Sequence, residues 1–164
     1  MLIAADALVD LCRAAGDEAV SDFGRRLGTA LGRRLAERLG DGASSASMEV
    51  VLDHLGGELA VMGLGSLGLE RWGRALVLTI DGCPLGASGD RLVGAVLEGA
   101  LEAMTAREVA IESLERDEQR ARMLVASPAA AAKARAWLIG GLGWPDVLAK
   151  LHAASARTAM GESS

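Results

Sequence analysis

The chain has 164 residues, 51% of them hydrophobic and 24% charged, with a formal net charge of −5. That length fits one domain with a sizeable core. The acidic balance, without a long Lys/Arg run, argues against nucleic-acid binding, which needs a clustered positive field.

In chain order, Leu2 to Arg13 has helical spacing, with Leu2, Ala5, Leu8, Val9 and Cys12 on one face. After a break at Gly16-Asp17, a longer helix is predicted from about Glu18 to Leu39. Phe23, Leu27, Leu31, Leu35 and Leu39 recur at every fourth position as its apolar stripe. Gly24, Gly28 and Gly32 recur at the same interval. Each glycine costs about 1 kcal/mol against alanine inside a helix, so three in register imply a close-packed neighbour. That neighbour is either a helix of the same chain or a second copy across a dimer interface. Asp41 to Ser47 reads as a Gly/Ser/Ala loop. Ser47 caps the next helix, with Val51, Leu55, Leu59 and Met62 along one side.

A β-hairpin follows. Leu67 and Leu69 alternate with small or polar residues up to Trp72, Gly73 supplies the turn, and Ala75 to Ile80 returns. A loop at Gly86 to Gly89 leads to a helix capped by Asp90 and running to Thr105. Val109 to Leu114 and Arg122 to Ala126 form a second hairpin with a polar tip at Glu115 to Arg120. Ser127-Pro128 starts a C-terminal helix to Ile139. Gly140-Gly141 stops it, and Trp144-Pro145 starts a last helix to about Ala154, followed by a frayed tail from 155 to 164. The order predicts an α+β domain over 1–154. It has a four-stranded, mostly antiparallel sheet of two hairpins, covered by helices on one face, with extra C-terminal helices.

The only aromatic residues are Phe23, Trp72, Trp137 and Trp144, so the core is aliphatic. Cys12 and Cys83 are far apart and belong to no Cys/His cluster. With only His54 and His152 to join them, no metal site is expected. Two cysteines make no disulfide framework, so a reducing compartment, the cytoplasm, is the expected setting. Met1 to Val9 is apolar but contains Asp6 and lacks a basic flank, so it does not read as a signal peptide. No run is long enough to span a membrane.

Gly24-Arg25-Arg26-Leu27-Gly28, the Leu64-to-Glu70 and Ala75-to-Ile80 hairpin with its Cys83-Pro84 turn, and Gly94 to Leu101 together resemble the 4-vinyl reductase domain family. Thr105 to Glu115 continues the likeness, which covers residues 18 to 126. The resemblance implies a fold shared with transport-particle (TRAPP) subunits and with sensor domains of phenol-responsive activators. It also places that family's zinc-ligand positions near Asp90, Ser113, Arg116 and Leu124. None of these is cysteine, and an arginine repels a cation. The resemblance therefore implies no metal here. The extension 127–154 lies outside it.

Among residues able to carry chemistry, Asp53, His54 and Glu58 could form acid–base apparatus, but an i,i+4 ion pair is the ordinary alternative. Cys83 has no local base and reads as a turn residue. The Gly63-to-Gly68 match to GxGxxG has no strand before it and no helix after it. No nucleophile–base pair or cofactor fingerprint stands out, so the expectation is a non-catalytic binding module. One form is an apolar pocket for a hydrophobic small molecule or acyl chain, lined by Leu59, Met62, Trp72, Val93, Val96, Leu97, Leu101 and Met104, with His54 as polar anchor. The other is a homodimeric adaptor with Gly24, Gly28 and Gly32 at its interface. In it, Trp137 and Trp144 on the C-terminal helices engage a protein partner. A purely scaffolding protein and, last, a reductase-like enzyme are the remaining readings.

Overall fold

The computed structural model describes residues 4–40 and 47–161, with side chains through Ala154. Six helices and four strands follow in order: α1 (Ala5–Ala15), α2 (Asp17–Leu39), α3 (Met48–Val61), β1 (Ser66–Trp72), β2 (Ala75–Asp81), α4 (Asp90–Thr105), β3 (Ala110–Arg116), β4 (Arg120–Ala126), α5 (Pro128–Ile139) and α6 (Trp144–Gly161). Residues 41–46 of the loop expected over Asp41 to Ser47, Leu2 of the expected first helix, and residues 162–164 lie outside the described residues. The last helix continues past Ala154 to Gly161, where a frayed tail was expected.

The sheet has the order β1-β2-β4-β3, and all its pairs are antiparallel. Alternation along each strand sorts side chains to two faces. Leu67, Leu69, Leu78, Ile80, Ala121, Met123 and Ile111 join the cluster under α2, α3 and α4. Val77, Leu114 and Leu124 point the other way, against Ala134 of α5 and Val147 and Leu148 of α6. The C-terminal helices thus cover the second face, so the sheet carries helices on both sides.

Helix formation follows local signals. Ser47 Oγ accepts the Val50 N–H, and Ser127 Oγ accepts the Ala130 N–H, as N-caps do. Asp90 does not cap α4, contrary to its expected role. Its carboxylate is held by Arg116 instead. On α2 the buried residues are Val20, Gly24, Gly28, Leu31, Gly32 and Leu35. The glycine edge faces α4, and Phe23 is 58% exposed, outside the stripe assigned to it. An added Cβ at Gly24 would stand 2.9 Å from the Leu92 carbonyl oxygen, and one at Gly28 would stand 2.9 Å from the Ala100 nitrogen. Gly99 of α4 meets the Arg25 carbonyl reciprocally. The two helices are in backbone contact.

β3 is an edge strand, and α4 blunts it. Glu98 Oε1 accepts the Ile111 N–H at 2.8 Å, and Glu102 Oε1 accepts the Val109 N–H at 3.3 Å. Carboxylates on the outward donors stop another strand from pairing there. The β3–β4 register shifts between Ser113 and Glu115. The extra residue reverses the alternation, so Arg116 turns to the first face, towards Asp90.

Candidate functional site

The residues expected to line an apolar pocket do not form one. Leu59, Val93, Val96, Leu97, Leu101 and Met104 are buried in a single cluster, tight against the strands and α2. Met62 is exposed beyond the end of α3. Trp72 lies on the opposite face of the sheet, 42% exposed, so the sheet itself separates it from the other lining residues. His54 is exposed. It borders an open concavity of about 670 Å³ with Asp53, Glu58 and Arg38. Glu58 bonds Arg38 at 2.7 Å, which gives it a different partner from the histidine one turn away.

The expected interface residues divide in the same way. Gly24, Gly28 and Gly32 are consumed within the chain by α4, which corrects their assignment to a dimer interface. Trp144 and Trp137 are half-buried on the second face. Trp144 meets Trp72 edge to face, with ring centroids 4.8 Å apart. The Arg122 guanidinium lies over Trp144 at 5.5 Å, and the Lys150 ammonium over Trp137 at the same distance. The Trp72 indole N–H donates to Glu70. His152 of α6 packs over Gly73 and accepts the Arg74 N–H through Nε2. The aromatic residues therefore join α6 to the tip of the first hairpin while leaving part of Trp72 open to solvent.

A polar groove of about 550 Å³ opens at the β3 edge of the sheet, between the start of α2, α4, β3 and α5. Three guanidinium–carboxylate pairs build it. Arg25 reaches Glu98 at 2.9 Å, and Arg135 reaches Glu112 at 2.9 and 2.6 Å. Arg116 donates from Nε to both oxygens of Asp90. The carboxylate hydrogen bonds raise the Arg116 and Arg135 pKa values further, so both stay charged. Cys83 is buried near the Asp90–Arg116 pair, and burial pushes its thiol pKa up, which makes it a poor nucleophile.

Asp90 and Ser113, two of the positions expected from the resemblance, line this groove, and Arg116 closes on Asp90. Leu124 points to the other face, into the α5–α6 cluster. Among the described residues, no group of three or more His, Cys, Asp or Glu side chains could hold a metal ion. Likewise among them, no helix is long and apolar enough to cross a membrane.

Sequence reasoning missed Arg25, Glu98, Glu112 and Arg135. Two signals were present: Glu98 stands between Gly94 and Gly99 on the packed side of α4, and Arg135 interrupts an alanine-rich helix. No family model matches the chain, and no curated protein matches it.

Proposed function

We propose that the chain is a non-catalytic binding module that acts as a protein-interaction adaptor in the cytoplasm, through its surface and without an internal apolar cavity. The observation that carries this reading is the sealed first face. The side chains nominated for an acyl pocket are packed against one another and against the sheet. The concavities at the β3 edge and beside α3 are open and carry charged groups in their linings. On the second face a half-exposed tryptophan is braced by a second ring, the arrangement of a binding hot spot. The likeness to transport-particle subunits points the same way. The two cysteines are free, which suits a reducing compartment. The exposed Asp53 and His54, with Glu58 taken by Arg38, offer no nucleophile–base pair.

A homodimer belongs to this reading, on a surface other than the glycine edge. Native mass spectrometry of the purified chain tests both parts. The expected spectrum shows ligand-free protein with a concentration-dependent dimer. A retained molecule of acyl-chain size overturns the adaptor reading, and a monomer mass at all concentrations removes the dimer.

A further inference from the structure

The groove does not end at Arg25. That side chain also borders a second concavity, of about 440 Å³, on the outer face of α2, where Arg26 and Arg33 flank Thr29 and Ala30 and Asp22 completes the lining. The two hollows form one surface with five guanidinium groups: Arg135, Arg91, Arg25, Arg26 and Arg33.

Around Arg25 and Arg135 the charges are sorted by depth. Arg25 and Arg135 have side chains 55% and 62% exposed, whereas Glu98 and Glu112 beneath them are 15% and 11% exposed, and Arg91, 54% exposed, pairs instead with Asp17, which is 81% exposed. Asp90 is covered by Arg116, and both are 14% exposed. A carboxylate that holds one side of a guanidinium leaves its remaining N–H donors facing outwards. Arg26 and Arg33 have no carboxylate within ion-pair distance among the described residues. Against these five arginines stand two exposed carboxylates, Asp17 and Asp22, so in a chain of net charge −5 this surface keeps an excess of exposed positive charge.

We infer that this continuous surface takes an extended, carboxylate-rich segment of a partner protein. The proposal rests on the adaptor reading and names its partner by chemistry. Guanidinium groups bind carboxylates in planar, two-point fashion. Spaced carboxylates on a peptide can meet the rim arginines while stepping over Glu98 and Glu112. A nucleic acid, with a phosphate at every step, would be repelled by those same carboxylates. It would also find no aromatic platform for its bases among the groove residues. Pairing by strand addition is excluded at residues 109–111, because Glu98 and Glu102 already occupy the outward donors. The segment is therefore held by its side chains.

The test uses the full chain and a fluorescent poly-glutamate peptide of about ten residues, which spans roughly 33 Å when extended. Fluorescence anisotropy is expected to show saturable binding that weakens as salt is added, with no binding of a poly-lysine control. The triple variant R26E/R33E/R91E reverses exposed charges outside the buried pairs, and it should lose at least about tenfold in affinity. If that variant fails to fold, the salt titration on the unaltered chain decides the question, and binding that does not weaken with salt overturns the proposal. It is also overturned if poly-glutamate does not bind, or if the folded triple variant binds as tightly as the native chain. A single-stranded oligonucleotide or a phosphatidylserine vesicle that binds more tightly than the peptide overturns it as well. Failure here, with a ligand-free native mass, removes the acidic partner and leaves the adaptor reading intact.

Discussion

The two faces of the sheet are covered by different physics. On the first, α2 lies against α4 with backbone touching backbone, and the leucines, valines and methionines between them and the strands are sealed. On the second, α5 and α6 bury a smaller apolar cluster around Val77, Leu114 and Leu124. The rest of that face is held by ion pairs and rings: Arg122 bonds Glu115, Arg120 bonds Asp81, and Trp72 leans on Trp144. One face is closed by shape, where any added atom is costly. The other is closed by groups that water can replace at small cost.

The sharpest way to break this contrast is to add one methyl group. Gly28→Ala would drive a Cβ into the Val96 carbonyl, against backbone that cannot rotate away. It should cost about 3 kcal/mol, seen as a lower urea midpoint. Gly57→Ala adds the same methyl to a helix with open space around it. It should stabilise by up to about 1 kcal/mol, from helix propensity alone. Equal losses at the two positions would mean that α2 and α4 are not in backbone contact.

The second face should respond less. Trp144→Ala removes the ring that packs on Trp72 and lies under Arg122. Because Trp144 is only half-buried, the cost should be about 2 kcal/mol, below that of a core tryptophan. Trp72→Ala, at the exposed end of the same pair, should cost less than about 1 kcal/mol. Denaturation of both variants measures the gap. A larger loss at Trp72 would place the structural weight on the hairpin tip and leave α6 secondary.

Much of the scaffold was legible in the residues. Alternation around Leu67 and Leu69, with a two-residue gap at Gly73-Arg74, specifies the first hairpin, and Gly73 does sit at φ 61. Glycine at every fourth position of α2 announced a close neighbour, which is α4. The same four-residue rule misled at Phe23. Each step of four residues overshoots a full helical turn by about 40°, so a row that long drifts off any one face. The buried stripe mixes steps of three and four, and it leaves Phe23 outside. Parity alone separates Trp72 from Leu67 and Leu69, since five and three residues are odd steps along a strand. The position of Arg116 was beyond such counting, because a bulge reverses the alternation just before it. The groove was illegible for a different reason. Its pairs join residues 73 and 23 positions apart, and only the packing of α2 and α5 around β3 brings them together.

The smallest effect belongs at the β3–β4 turn, where no helix contributes. Asp117 Oδ1 accepts the backbone N–H groups of Gln119 at 2.9 Å and Arg120 at 2.7 Å. Those bonds, first from Gln119 and then from Arg120, hold its carboxyl below the ordinary aspartate value. A carboxylate with a lower pKa folded than unfolded contributes stability above its unfolded pKa of about 3.9. That contribution fades as pH falls through the folded value. Asp117→Ala should therefore lower Tm slightly at neutral pH, and the two melting curves should converge as the pH falls below the unfolded aspartate value and the carboxylate is protonated in both states. The side chain is fully exposed, so water competes for both donors and the difference stays small. A gap that persists unchanged in acid would show that Asp117 acts through turn geometry and that its charge is irrelevant. The wet end of the second face would then be held by shape, as the first face is.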